Sequence, residues 1–306
     1  MNGKATRDSF GEAVKKLGAE NSKIVVLDAD LSVSTKSVTF AKAYPERFFQ
    51  MGIAEQNMVG TAAGLAFTGF VPFCCSFGAF VAGRYETIRV SVGYSKANVK
   101  IVGTHAGIGI GEDGYTQMGL EDVNLMRGIP GMTVLQPSDD ASTQAAVRWA
   151  ASHNGPVYLR LTRQKLPDLY RSESVFQVGR GIILKEGKDI ALIGTGALTC
   201  EVLKASEELS HLNPWVIDIH TIKPIDRALI KRLATTCKWI ITAEDHNVIG
   251  GLGTAVSEVL TEIGYGGRLL KIGVQDTYGE SGTPSDLYEK YGFTGTKIAA
   301  RVMETI

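Results

Sequence analysis

The sequence predicts an α/β chain of two domains, each a mostly parallel sheet flanked by helices. Short continuous apolar runs, the mark of strands buried on both faces, alternate with segments of helical spacing in two successive series. Between the series, residues 165–179 carry Pro167, Asp168, Ser172, Glu173 and Ser174 without periodicity. The domains are therefore expected at 1–168 and 181–306, with a linker at 169–180. A third observation agrees: 35 glycines in 306 residues suit a chain with many strand-to-helix turns.

In chain order, residues 7–19 place Phe10, Ala13, Val14 and Leu17 on one helical face. Residues 24–27 form a buried strand that ends in the polar loop 28–34, and open α/β sheets bind ligands at such carboxyl ends. A short apolar run at 47–51 leads to Gly52-Ile53-Ala54-Glu55-Gln56-Asn57-Met58. From there Met58, Val59, Ala62, Ala63, Leu65 and Ala66 mark a buried helix. Glu55 falls in its first turn. Read alone it complements the helix dipole; drawn out of water by its apolar neighbours, it needs a polar partner. Residues 71–75 read as a strand, with Ser76 as cap of a helix that sets Phe77, Phe80 and Arg84 on one face. A strand at 99–103 runs into the glycine-rich loop 104–117, whose backbone can approach a ligand closely.

A helix at 120–128, a strand at 132–135 and a helix at 139–151 follow, the last with Ala141, Ala145 and Trp149 on one side. The strand at 157–161 delivers Thr162-Arg163-Gln164 to a loop. The second series has strands at 182–184, 190–193, 215–219 and 239–242, and helices at 198–209, 226–234 and 252–263. Its Gly194-Thr195-Gly196-Ala197 turn lacks the spacing of a dinucleotide fingerprint, and Asp218 stands at the wrong end of its strand.

Charge balances at 32 basic and 32 acidic residues, which gives no electrostatic case for nucleic acid or an anionic membrane. No apolar h-region follows the first charges, so no secretory signal is expected. The most apolar window, 60–77, is broken by Thr61, Gly64, Thr68, Gly69 and Pro72, against a membrane span. Cys74, Cys75, Cys200 and Cys237 form no C-x-x-C pair; reduced thiols and a cytoplasmic location are expected.

Gly52 to Met58 strongly resembles the motif of the pyrimidine-binding half of transketolases and of deoxyxylulose-phosphate synthases, which use thiamine diphosphate. The resemblance implies that Glu55 is catalytic: it hydrogen-bonds the N1′ nitrogen of the cofactor's aminopyrimidine and so activates the cofactor. It also implies that Phe77 and Phe80 build the aromatic pocket, with Phe80 stacking on the ring and Gly83 replacing a tyrosine common in the family. Asp30, Leu31 and Ser34 lie in a segment similar to the family's D-x-D-L-x-x-S, the first two against the cofactor. The loop after residue 103 resembles T-H-x-x-I/V-x-x-G-E-D-G-x-[ST]-H, which puts His105 and Asp113 on the sugar substrate. Gln117 replaces the second family histidine. An amide hydrogen-bonds but carries no proton at neutral pH, which leaves room for a specialised ketose, branched or sulfonated. Arg163, in T-R-Q against the family's S-R-Q, and Arg7 and Ser34 match residues that hold the phosphate end of the sugar.

The family's diphosphate and Mg2+ site needs G-D-G followed by a more distant Asn. Here Glu112-Asp113-Gly114 is followed too closely by Asn124. The resemblance spans essentially the whole chain but only the pyrimidine and C-terminal domains. It therefore implies the second subunit of a split transketolase. An N-terminal partner subunit would carry the diphosphate domain and the Mg2+ ligands, the assembly would be α2β2, and the substrates would be sugar phosphates. The competing readings are a β subunit of a 2-oxoacid dehydrogenase, a fragment similar to deoxyxylulose-phosphate synthase, and a non-catalytic assembly subunit.

Overall fold

The apolar runs become strands of two sheets in the computed structural model, which describes residues 3–306. Met1 and Asn2, part of the expected first domain and of the segment read for a signal, lie outside the described residues. The strands are β1 Ile24–Asp28, β2 Phe48–Gln50, β3 Val71–Phe77, β4 Lys100–Thr104, β5 Thr133–Leu135, β6 Val157–Arg160, β7 Ile182–Lys185, β8 Ile190–Gly194, β9 Trp215–Asp218, β10 Thr221–Lys223, β11 Trp239–Asn247 and β12 Arg268–Val274. The larger sheet runs β10-β5-β6-β4-β3-β1-β2, and the smaller runs β12-β11-β8-β9-β7. All pairings are parallel except those of the edge strands β10 with β5 and β7 with β9.

Helices on both faces leave β1, β3, β4, β5 and β6 without an exposed residue, which is why their sequences do not alternate. Val25 and Leu27 enter one apolar cluster while Ile24 and Val26 enter the cluster on the opposite face. The order of the larger sheet reverses at β1, which has β2 on one side and β3 on the other. A crevice opens where loops leave such a reversal in opposite directions.

Several expected elements are corrected. Ser76 is a residue of β3 and caps nothing; the short helix Gly78–Ala82 begins after Phe77 without a side-chain cap. Phe77 thus sits on a strand and Phe80 on a helix, while Arg84 lies beyond that helix. In helix Asp140–Ser152 the buried apolar residues are Ala146, Val147 and Ala150, with Ala141, Ala145 and Trp149 on its flanks. β10 comes from the second series yet closes the edge of the first sheet. β12 and helices Pro284–Lys290 and Gly295–Thr305 complete the second unit.

The two sheets are bolted together through a buried arginine. Arg160 Nε donates to Asp122 Oδ2 at 2.9 Å, and Nη2 donates to the carbonyls of Gly119 at 2.8 Å and Asp245 at 2.9 Å. The negative charge of Asp122 and these acceptors offset the cost of burying the guanidinium.

Candidate active site

The expected site residues converge on the carboxyl ends of β1, β2, β3, β4 and β6. Helix Glu55–Phe67 follows β2, and its first residue is only 5% exposed. Among the described residues, the hydrogen-bond partner of the Glu55 side chain is Ser76 at 3.1 Å, whose hydroxyl donates to Oε1. Phe77, the residue after Ser76, stacks its ring on Phe80 with centroids 5.4 Å apart and planes 15° from parallel. Phe80 and Leu31 are half-buried and pack against the same apolar cluster. A buried carboxyl can hold a planar heterocycle by its edge, and an aromatic ring can hold it by its face.

A second corner gathers positive charge. Arg7, in the first turn of helix Thr6–Glu20, donates through Nη1 to the Ser34 carbonyl at 3.0 Å and to His105 Nε2 at 2.7 Å. A guanidinium has no acceptor, so Nε2 accepts and Nδ1 carries the proton. Nδ1 then donates to Thr104 Oγ1 at 2.8 Å. The His105 ring lies on Phe77 at 3.9 Å, held there by a left-handed backbone with φ 57°. Burial, reinforced by the charges of Arg7, Arg163 and Lys36, lowers its pKa to about 3. Burial also lowers the pKa of Arg7, and among the described residues its buried Nε has no hydrogen-bond partner. Such a donor, among other cations, is costly unless an oxyanion meets it.

Arg163 follows β6, and its Nη1 donates to the Ile110 carbonyl and, at 3.0 Å, to Glu112 Oε2. Asp113 is exposed at the rim of the same loop, where its charge acts on Arg7. Gln117 is half-buried at the end of the turn Tyr115–Gln117. Asp30 is exposed with φ 65°, and its N–H donates to Gln50 Oε1 at 2.7 Å. Ser34 meets Arg7 through its carbonyl oxygen.

Sequence reasoning missed the residues that hold these groups in place. Asp28 accepts from the Leu31 N–H at 2.6 Å, Thr35 Oγ1 at 2.7 Å and Ser37 Oγ at 2.8 Å, which shapes the loop after β1. A polar residue closing an apolar strand was its one visible signal. Ser76 had none, because its partner lies 21 residues away. The Gly194–Ala197 turn is packed closed: a Cβ at Gly196 would stand 2.5 Å from Gln136 Nε2. All four cysteines are free and buried, and burial raises each thiol above its usual range. Among the described residues no three His, Cys, Asp or Glu side chains gather as a metal site. No described helix is long and apolar enough to cross a membrane.

Comparison with known proteins identifies relatives over nearly the whole chain. Residues 2–168 match the model of the transketolase pyrimidine binding domain, and residues 179–298 match that of the transketolase C-terminal domain. A Methanocaldococcus jannaschii protein provisionally named a transketolase C-terminal section is 45% identical over 98% of this chain and 96% of its own length. A 6-deoxy-6-sulfo-D-fructose transketolase subunit of Clostridium sp. (strain MSTE9) is 39% identical over 97% of this chain and 93% of its own. Human transketolase is 39% identical over 97% of this chain, which spans only 48% of that longer protein. Among solved structures, a split gene transketolase described as an inactive β4 tetramer superposes with TM-score 0.90 at 49% identity, covering 99% of this chain and 98% of that one.

Proposed function

The chain belongs to the transketolase family, and from that membership we propose that it is the C-terminal subunit of a two-chain transketolase that moves a two-carbon ketol unit from a ketose phosphate to an aldose. The observation that carries the reading is the buried Glu55–Ser76 pair beside the Phe77–Phe80 wall, with the Arg7–His105 corner on the same sheet end. These residues fit the pyrimidine half of thiamine diphosphate: a flat ring with an edge nitrogen meets a flat wall and a buried carboxyl. Thiamine diphosphate, when bound, supplies the nucleophile of ketol transfer.

The chain's own residues do the following. Glu55 would hold the edge of the pyrimidine ring and supply the proton its activation needs, and Ser76 fixes the carboxyl's orientation. Phe80 would supply the stacking face for that ring, with Leu31 and Asp30 at its border. Arg7, Arg163 and the neutral His105 take the donor's anionic end, with the Ser34 carbonyl orienting Arg7. Asp113 and Gln117 hydrogen-bond its hydroxyls. In this reading the pyrimidine-binding unit is 1–168, the linker 169–180 and the C-terminal unit 181–306.

Diphosphate and Mg2+ ligands belong to an N-terminal partner subunit in an α2β2 assembly, which acts in the cytoplasm. Support for a partner comes from the far face of helix Glu55–Phe67. Gly60 and Gly64 have no atom within 4 Å of an added Cβ, and the nearby Ile53 and Phe67 are 85% and 64% exposed. The partner would cover that face and close the cleft over Glu55. The test is ketol transfer after mixing the chain with a diphosphate-domain subunit, repeated with Glu55→Gln.

A second reading concerns the donor. Gln117 leaves room for a specialised ketose, one relative is named a 6-deoxy-6-sulfo-D-fructose transketolase subunit, and a sulfonate would satisfy the same arginines as a phosphate. A donor screen with fructose 6-phosphate and 6-deoxy-6-sulfofructose separates the two.

A further inference from the structure

The C-terminal unit reaches into the substrate-facing loops through one buried carboxylate. Asp245, in β11, is 1% exposed. Its Oδ1 accepts the Ile108 N–H at 2.7 Å, and Oδ2 accepts the Gly109 N–H at 3.2 Å and the Tyr288 hydroxyl at 2.9 Å. Tyr288, on helix Pro284–Lys290, in turn accepts from Gln164 Nε2 at 2.8 Å. Gln164 neighbours Arg163. Ile108 and Gly109 lie between His105 and Asp113.

Two loop glycines make the approach possible. A Cβ at Gly107, where φ is +87°, would stand 2.3 Å from Asp245 Oδ2, and one at Gly109 would stand 2.1 Å from Gln164 Nε2. The same unit also overlies the far end of the loop, where Pro284 and Ser281 press on Gly111 and Gly114. Three donors converge on one carboxylate, a pattern an amide cannot reproduce, since its NH2 would face another N–H or lose the phenol's proton. The loop backbone is otherwise irregular, with positive φ at His105, Gly107, Gly111 and Gly114, and such a segment holds one shape only when external bonds fix it.

We propose that Asp245 and Tyr288 are positioning residues for substrate: the Gln164–Tyr288–Asp245 relay pins the 105–117 loop and the Arg163 loop together, so that the C-terminal unit sets the donor's binding geometry. This assigns the second unit a part in recognition and not only in assembly, and it rests on the reading of His105, Asp113 and Arg163 as donor contacts.

The test uses Asp245→Asn and the milder Tyr288→Phe, each in the assembled two-subunit enzyme and in the chain alone. In the chain, amide exchange of Ile108 and Gly109, followed by NMR, should accelerate about tenfold or more in Asp245→Asn. In the enzyme, donor KM should rise about tenfold in Asp245→Asn and a few-fold in Tyr288→Phe, with kcat within about threefold of wild type in both. Unchanged exchange in Asp245→Asn overturns the proposal. So does a fall in kcat at unchanged KM, the signature of a smaller folded fraction. Failure of the wild-type pair to transfer a ketol would instead sink the proposed function, and the exchange measurement would still decide whether the clamp exists.

Discussion

Glu55 and Phe80 carry separable parts of the proposed chemistry. Glu55→Gln keeps the volume and the Ser76 hydrogen bond but cannot share a proton, so turnover of the assembled enzyme should fall by ~10²–10⁴-fold while the isolated chain stays folded. Phe80→Ala removes a stacking face and should weaken thiamine diphosphate binding by about tenfold, read by calorimetry on the assembled enzyme. Arg7→Met should raise the KM of an anionic donor by about 10–100-fold, the range of one charge-assisted hydrogen bond, and leave an uncharged donor unaffected. His105, with its pKa lowered to about 3 by burial and neighbouring cations, stays neutral across the working range. Its ring resonances should therefore show no titration between pH 8 and 5. Because its folded value lies below the unfolded ~6.5, its contribution to stability is present above that pH and is lost as pH falls toward 3. His105 and Arg163 could be placed from the sequence because each follows a strand, and Arg7 because it opens a helix. Ser76 and Asp245 could not be, since their partners lie far away in the chain.

At the scale of elements, helix Glu55–Phe67 shows how two faces of one segment answer to different constraints. Met58, Val59, Ala62 and Ala63 are buried, as their spacing foretold. On the other face Gly60 and Gly64 have, among the described residues, no atom within 4 Å of an added Cβ. Replacing either by Ala should stabilise the isolated chain by up to ~1 kcal/mol, since glycine weakens a helix interior. Gly64→Leu should leave the chain folded yet abolish association with the partner subunit, read by sedimentation of the mixture. The buried strands were legible because parallel strands covered on both faces are uniformly apolar. β10 was not, because Thr221–Lys223 is too short to show a period and its pairing partner is Thr133–Leu135. β12 was obscured by an outer half, Arg268–Lys271, that stays exposed or half-buried. Phe77 and Phe80 were expected on one helix. A strand-to-helix break between them achieves the stacking instead, because β3 runs two residues further than its apolar run.

The whole molecule is two sheets locked by buried polar groups, so its units are expected to unfold together. Arg160→Met leaves the wholly buried Asp122 charge without its partner and should cost about 3–5 kcal/mol, seen as a lower Tm of the isolated chain. In the proposed function one part of the molecule stays incomplete: the site of Glu55, Phe80 and Arg7, beside the exposed face of helix Glu55–Phe67. The central claim is that this region becomes an active site only when a second, diphosphate-binding chain closes it. Ketol transfer by the chain alone, by its partner alone and by the mixture tests that claim most directly. The account predicts turnover in the mixture only, lost in Glu55→Gln; turnover by the chain alone, or a mixture equally active with Glu55→Gln, would contradict it.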